Sequence, residues 1–236
     1  MPLDEFVRIE GDKYQLPVVT MQRGERVVVL IGMMHIASPK FFTDVEVKLL
    51  KFERAGYKIL YEFLDPDVWA ASPEEKVALQ EKRGKIVEAL KPYGLTYQTA
   101  AISLRQSWVS ADISEKEWQK DPQSHRSSVS NILESLDKLI EDPQPYLKQI
   151  EMGLRSAHEY VNSFVSSPTG AFVLSFRDRA GVTKILEHVC VSNVATYWGA
   201  AHVPGFVRIL EENGFKIVFV DWLAGLASAN LQGARV

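Results

Sequence analysis

The sequence predicts an α/β fold in which helices flank a central, mostly parallel sheet. Two observations support this prediction. Several short apolar runs do not alternate with polar residues, which is typical of strands buried on both faces. In addition, a pattern of strand, Gly-x-x-His, helix and strand occurs twice, once near each end of the chain. Each copy is expected to form a βαβ unit, with a helical insertion between the two.

The first copy starts with the strand RVVVLI, which leads into the tetrapeptide GMMH at 32–35. Ser38 and Pro39 then have the chemistry of a helix start, and Gly56 that of a helix end. The apolar run YKILYEF follows as the second strand of the unit. The order of these signals predicts one βαβ unit.

The second copy has the same order near the carboxyl end of the chain. The strand NVATYW leads into GAAH at 199–202, Pro204 begins a helix that ends near Gly214, and FKIVFVDW is the next strand. Parallel strands with right-handed crossovers share their carboxyl edge. Both Gly-x-x-His loops should therefore lie at one edge of the sheet, where the two histidines could face the same crevice.

The segment between the copies has a different pattern, in which apolar residues recur with the helical period of 3.6. We therefore divide a single domain into the first half of the core at 1–66, a helical insertion at 67–170 and the second half of the core at 171–236. The last dozen residues, ending in GLASANLQGARV, are expected to fray.

Composition excludes several classes of protein. Lys and Arg number 27 against 30 Asp and Glu, so the chain lacks the basic excess that binds nucleic acid. Its apolar runs are shorter than the roughly 20 residues of a membrane-spanning helix. Cys190 is the single cysteine, forms no internal disulfide and is expected to be a buried, inert thiol. We expect a cytoplasmic protein that binds neither nucleic acid nor membrane.

His35 and His202 are the first candidate site residues, because each would be the first side chain directed over the sheet edge. Gly32 and Gly199 would permit either an unusual backbone angle or the close approach of another group. The alternative is that both histidines merely close a turn.

Glu62 is the third candidate, since it lies at the end of the strand YKILYEF and therefore at the same sheet edge. A buried carboxylate there needs a partner, which could be a metal, an arginine or one of the histidines. The alternative is a glutamate that reaches solvent. Asp221 ends the matching strand of the second copy, but it lies seven residues after Gly214 whereas Glu62 lies six after Gly56. The two side chains should point to opposite faces, so we interpret Asp221 as a capping or surface acid.

Arg177, Asp178 and Arg179 precede an apparent helix, which would place two guanidinium groups near a helix start. This position is unfavourable for cations unless anions neutralise them. Asp178 could supply part of that negative charge and a substrate oxyanion the rest. A structural network of Arg and Asp that joins the insertion to the sheet is the alternative.

Four segments together resemble the TraB/Tiki/GumN superfamily, which is related to the erythromycin esterases and the ChaN-like haem-binding proteins. These segments are IGMMHIASP, YEFLD, FRDR and WGAAHVPG, in that order, and the resemblance covers residues 27–66 and 172–222. The segment QTAAISLRQSWVSADIS also looks like the aromatic-rich part of the insertion in bacterial members. The resemblance implies a core of the ChaN or erythromycin-esterase type and a site made of His35, Glu62, Arg177, Asp178 and His202.

The resemblance also implies a function. We expect a hydrolase that cleaves a peptide or ester bond in a peptide or small-molecule substrate. His35, His202 and Glu62 would hold a divalent metal (manganese, cobalt or zinc) or activate water directly. Arg177 would stabilise the developing oxyanion. The metal preference of the family favours manganese or cobalt.

Two alternatives belong to other classes of protein. In the first, the same histidines bind haem or another small ligand and no bond is broken. In the second, the helical insertion forms a homodimer or partner interface and the histidine site is vestigial. Phe176 and Met33 favour this second alternative, because the family usually has an acidic residue and a threonine at these positions.

Overall fold

The structure is a computed structural model that describes residues 6–62, 72–113, 129–156 and 168–231. The two longest strands pair with each other along most of their length. The strands are β1 Arg8–Glu10, β2 Lys13–Arg23, β3 Arg26–Met33, β4 Ile36–Ala37, β5 Lys58–Tyr61, β6 Thr96–Tyr97, β7 Val109–Ser110, β8 Val194–Gly199 and β9 Lys216–Ala227.

The helices lie between these strands in the sequence, except for the last helix, which follows β9. They are α1 Pro39–Arg54, α2 Pro73–Leu90, α3 Gln98–Ala101, α4 Val129–Glu141, α5 Pro143–Arg155, α6 Pro168–Val189, α7 Val203–Glu212 and α8 Ser228–Leu231. Two 3₁₀ turns are also present. Lys91–Tyr93 connects α2 to β6, and Ala200–His202 connects β8 to α7.

The main sheet has the order β9-β2-β3-β8-β5-β7, and β1 pairs with the start of β2. The strands β3, β8, β5 and β7 are parallel to one another, whereas β2 is antiparallel to both β3 and β9. A separate pair is formed by β4 and β6. The predicted α/β class with a mostly parallel sheet flanked by helices is confirmed, and the sheet is mixed because of β2.

Apolar side chains cover both faces of the sheet. One face packs against α1, α2 and α5, and the other against α6 and α7. Strands β3 and β8 contribute to both clusters, as expected for strands buried on both sides. This explains why their sequences are continuous apolar runs.

Helix α1 begins and ends at the predicted residues. Ser38 is its N-cap, and the Ser38 hydroxyl accepts a hydrogen bond from the backbone N–H of Phe41 at 3.2 Å. Such a cap contributes about 1 kcal/mol to stability. Gly56 ends the helix with a φ of 84°, a left-handed conformation that favours glycine. After this helix the chain re-enters the sheet as β5.

The two Gly-x-x-His loops follow neighbouring parallel strands. In the pairing of β3 with β8, Gly32 lies opposite Trp198 and Met33 opposite Gly199. The first unit, β3-α1-β5, places β5 on the far side of β8. The second unit ends with β9, which lies beyond β3 and β2. Both loops therefore leave the sheet side by side at its carboxyl edge.

The prediction that Arg177 and Arg179 lie near a helix start is wrong. Helix α6 begins at Pro168, so both residues lie in the middle of a helix of 22 residues. The apolar run AFVLSF continues the helix from Pro168 to the arginines. The helix dipole consequently gives no reason for an anion at Arg177.

The prediction that the last dozen residues fray is also wrong for those that the structure describes. Strand β9 continues to Ala227 and α8 follows, where Leu231 is fully buried. Asp221 consequently lies within β9 rather than at its end, and its carboxylate forms an ion pair with Lys48 at 3.3 Å. The long pairing of β9 with β2 holds this segment in place.

The described part of residues 67–170 is mostly helical, but it also contributes β6 and β7. Strand β7 joins the main sheet beside β5. Across the described ranges, no helix is long and apolar enough to cross a membrane. Cys190 is exposed rather than buried, because it follows directly after the end of α6.

Candidate functional site

Three neighbouring parallel strands end at one cavity of about 380 Å³. His35 follows β3, His202 follows β8 and Glu62 follows β5, and all three residues line this cavity. Arg177 reaches the same cavity from α6. The structure thus brings together four of the residues that the sequence analysis singled out.

Glu62 is 3% exposed and has a partner on each carboxylate oxygen. Its Oε1 accepts a hydrogen bond from Nη2 of Arg177, and its Oε2 accepts one from the backbone N–H of Gly199. Burial alone would raise the pKa of Glu62, but the charge of Arg177, reinforced by His202 and His35 when they are protonated, outweighs burial and lowers that pKa to about 2. Glu62 is therefore an ionised carboxylate whose main partner is the arginine.

Arg177 also binds Asp112 at two points. Its Nε donates to Oδ1 of Asp112 at 3.0 Å, and its Nη2 donates to Oδ2 at 2.7 Å. Burial opposes the charge on Arg177, but the carboxylates of Glu62 and Asp112 raise its pKa above the ordinary value. The guanidinium is therefore charged and fixed in orientation by two carboxylates.

Asp112 was missed in the sequence analysis, although the rule that found Glu62 also applies to it. It lies two residues after β7, which is parallel to β5 and adjacent to it. Its position therefore follows from the same strand-end geometry. The two-residue length of β7 explains why the strand was not recognised.

His202 is buried and paired with Asp178. The ring Nδ1 lies 2.6 Å from Oδ1 of Asp178, which assigns the proton to Nδ1 when Asp178 is ionised. Burial raises the pKa of Asp178, although its hydrogen bond with His202 acts in the opposite direction. The other ring nitrogen, Nε2, lies 3.3 Å from Nη1 of Arg177 and 3.8 Å from Oε1 of Glu62.

His35 is held by Gln98, a second residue that the sequence analysis missed. The amide nitrogen of Gln98 donates to the backbone carbonyl of Glu62 at 3.2 Å, so the amide oxygen faces Nδ1 of His35 at 2.8 Å. This orientation assigns the proton to Nδ1, leaving Nε2 as an acceptor. Among the residues described, none hydrogen-bonds to Nε2 of His35, and the side chain is exposed where the cavity opens.

No local signal marks Gln98 as a site residue. It reaches His35 because β6 pairs with β4, which directly follows the histidine. The backbone N–H of Gln98 donates to the carbonyl oxygen of His35 at 2.8 Å. This contact depends on a pairing between segments about 60 residues apart, which a local sequence pattern cannot predict.

Gly32 and Gly199 allow another group to approach the backbone closely, and they do not adopt an unusual backbone angle. Neither has a positive φ. A Cβ at Gly32 would lie 2.9 Å from Cδ of Pro17, and one at Gly199 would lie 3.0 Å from Oε2 of Glu62. Glycine at 199 therefore allows the backbone to bind the Glu62 carboxylate directly.

The donor set does not fit the divalent metal that the resemblance implies. Within the described ranges, no group of three or more His, Cys, Asp or Glu residues is arranged to hold a metal ion. Both oxygens of Glu62 are engaged, and the guanidinium of Arg177 lies beside Nε2 of His202. A cation bound at this nitrogen would be repelled by the neighbouring guanidinium.

The same contact opposes haem ligation by both histidines. Axial ligation uses the lone pair of an imidazole nitrogen. Nε2 of His202 faces Arg177, whereas Nε2 of His35, which also lines the cavity, has no hydrogen-bond partner among the described residues. Only His35 has the geometry of a ligand.

Comparisons with protein-family models, with curated proteins and with solved structures find no match for this chain.

Proposed function

We propose that this protein is a hydrolase of the TraB/Tiki type that cleaves an ester bond without a metal, using water activated by His35. The observation that carries the proposal is the pairing of His35 with Gln98. It leaves one imidazole lone pair open beside a cavity that also contains a fixed guanidinium. The motifs that resemble the superfamily, with its ChaN and erythromycin-esterase-like core, support the same reaction class.

His35 is the general base and then the general acid of the proposed reaction. Its Nε2 removes a proton from a water molecule, whose oxygen forms a bond to the ester carbonyl carbon. The carbonyl π electrons move to oxygen and return when the bond to the alcohol oxygen breaks. His35 gives the same proton to the departing alcohol, so one imidazole carries the proton through both steps. The products are a carboxylic acid and an alcohol.

Arg177 supplies the positive charge beside the reacting carbonyl. Of its five N–H groups, four are engaged by the residues described: two by Asp112, one by Glu62 and one by His202. One hydrogen on Nη1 remains for the developing oxyanion. Because the carboxylates fix the guanidinium beforehand, little reorganisation is needed during the reaction.

His202 and Asp178 act as positioning residues in this proposal. Asp178 holds Nδ1 of His202, which directs Nε2 toward Nη1 of Arg177. The ring of Trp198 packs edge-on against the imidazole at 5.9 Å. These contacts fix the direction of the other Nη1 hydrogen of Arg177, which is the one proposed to bind the oxyanion.

The experiment is hydrolysis of p-nitrophenyl acetate and butyrate by the wild type, His35→Gln and His188→Gln. General acid–base catalysis contributes about 10²- to 10⁴-fold, so His35→Gln should lose activity by about that factor. His188 lies in the last turn of α6 and is the matched control, which should retain full activity. Equal activity in all three proteins would overturn the proposal.

Binding of haem or another small ligand without turnover is the second candidate function. The observation that favours it is the open Nε2 of His35 beside a cavity of about 380 Å³. Haem titration should then give a Soret band that His35→Gln abolishes and His188→Gln retains. That result, combined with no ester hydrolysis by the wild type, would favour ligand binding over catalysis.

A further inference from the structure

The cavity beside His35 has mainly apolar walls. They come from the segment before β1, from β2 to β4, and from α5. Representative lining side chains are Phe6, Val7, Leu16, Met33, Ile150 and Leu154. Apolar walls around a few directed polar groups are typical of small-molecule sites, and a volume of this size suits a small organic ligand.

Buried acidic groups give the polar part of the site an excess of negative charge. We call Glu62, Asp112, Arg177, Asp178 and His202 the charged cluster. With its three carboxylates ionised, three negative charges face the one positive charge of Arg177, or two positive charges when His202 is also protonated, so the net charge is −2 or −1. The one remaining N–H of Arg177 can bind a developing oxyanion, but a full carboxylate in the cavity would face this net negative charge through a medium of low dielectric constant.

We infer that this cavity binds an uncharged apolar group, the acyl chain or ring of the ester, and that the charged cluster excludes carboxylates. The ester part of this inference rests on the proposed function, whereas the preference for an uncharged apolar ligand does not. Hydrolysis would then convert a ligand that fits the cavity into an anion that the charged cluster repels. This difference favours release of the acid product.

Gly153 is the residue that we expect to limit the size of the bound group. It lies on α5, is half-buried and lines the cavity. Apart from its chain neighbours and the backbone of its own helix, no atom of the described residues lies within 4 Å of a Cβ added at this position. A larger side chain there can extend into the cavity without backbone strain, because its helical conformation has no positive φ. Gly84 on α2 has the same free space among the described residues, but it is exposed and does not line the cavity.

The first experiment measures binding of two fluorescent dyes with the same ring system, uncharged phenylnaphthylamine and anionic anilinonaphthalene sulfonate. The wild type should bind the uncharged dye at least about tenfold more tightly than the sulfonate. Gly153→Phe should weaken binding of the uncharged dye by about tenfold, and Gly153→Leu by less. Gly84→Phe should bind as the wild type does. Circular dichroism verifies that each variant is folded.

The second experiment compares kcat/KM for p-nitrophenyl esters from acetate to octanoate. Gly153→Phe should lower kcat/KM for octanoate about tenfold more than it lowers kcat/KM for acetate, whereas Gly84→Phe should change neither. Failure of the uncharged dye to bind, tighter binding of the sulfonate, or equal binding by Gly153→Phe and Gly84→Phe would each overturn the inference. Dye binding as expected, with no ester hydrolysed, would support the apolar cavity and overturn the proposed function.

Discussion

Arg177 and Asp112 form a two-point ion pair in which the Asp112 side chain is only 1% exposed. The pair joins the middle of α6 to the loop after β7. Because both Nε and Nη2 are bound, the plane of the guanidinium is fixed and Nη1 is directed toward His202. Together with the hydrogen bond to Glu62, this contact determines which side of Arg177 is presented to the cavity.

Asp112→Ala should be strongly destabilising. Although Glu62 still pairs with Arg177, the substitution leaves Nε and one Nη2 hydrogen of the buried guanidinium without their acceptor, which costs about 1–3 kcal/mol or more. Urea denaturation measures this change in the free energy of unfolding. The matched control is Asp44→Ala, which removes the exposed ion pair with Lys40 and should cost less than about 1 kcal/mol. Similar losses in the two variants would contradict the buried role of Asp112.

The stability of the protein should fall in acid partly because of Glu62. Its pKa is lowered from 4.5 to about 2 in the folded state. The unfolded chain therefore binds more protons between these values, and the stabilisation by Glu62 is present above 4.5 and lost as the pH falls toward 2. Glu62→Gln should show a shallower loss of the free energy of unfolding over this interval. The raised pKa of Asp178 changes stability with pH in the opposite direction, but Asp178 is present in both proteins and therefore does not affect the comparison. Parallel curves for the two proteins would refute the assignment.

Gly205→Ala should disturb the pairing of Asp178 with His202. A Cβ at 205 would lie 1.9 Å from Oδ2 of Asp178, so the carboxylate must move. Overpacking of this kind typically costs about 1–3 kcal/mol. Gly84→Ala, in an exposed helix, should instead stabilise by about 0.5–1 kcal/mol. In the background of Asp178→Ala the cost of Gly205→Ala should largely disappear, and an unchanged cost would show that another contact is responsible.

Gln98→Leu should reduce ester hydrolysis through His35. The substitution removes the acceptor that holds Nδ1 of His35, and we expect kcat/KM to fall by about tenfold. Because Gln98 is proposed to act through His35, adding Gln98→Leu to His35→Gln should cause no further loss. A full additional loss in the double variant would show that Gln98 acts separately from His35.

The positions of His35, Glu62 and His202 could be predicted because they depend on local patterns and one general rule. Apolar runs locate the strands, and parallel strands share their carboxyl edge. The paired loops after β3 and β8 follow from this rule, as does the position of Glu62 after β5. The position of β2 between β3 and β9 could not be predicted in the same way, because the antiparallel pairing of β2 with β9 joins segments near the two ends of the chain.

The partners of these residues could not be predicted from local patterns. Gln98 and Asp112 follow β6 and β7, and each of these strands has only two residues, which is too short to give a recognisable apolar pattern. Arg177 was placed near a helix start because the helical pattern was recognised only in the residues that follow it. The exposed Cys190 shows the same limitation, since burial at a helix end depends on what packs there.

The measurement that tests the central claim most directly is the rate of ester hydrolysis by metal-free protein. The purified protein is treated with excess chelator, its metal content is verified by elemental analysis, and kcat/KM is compared with that of untreated protein. The account predicts an unchanged rate that depends on His35. Loss of activity with the chelator, restored by manganese, cobalt or zinc, would contradict it and return His35, His202 and Glu62 to the role of metal ligands.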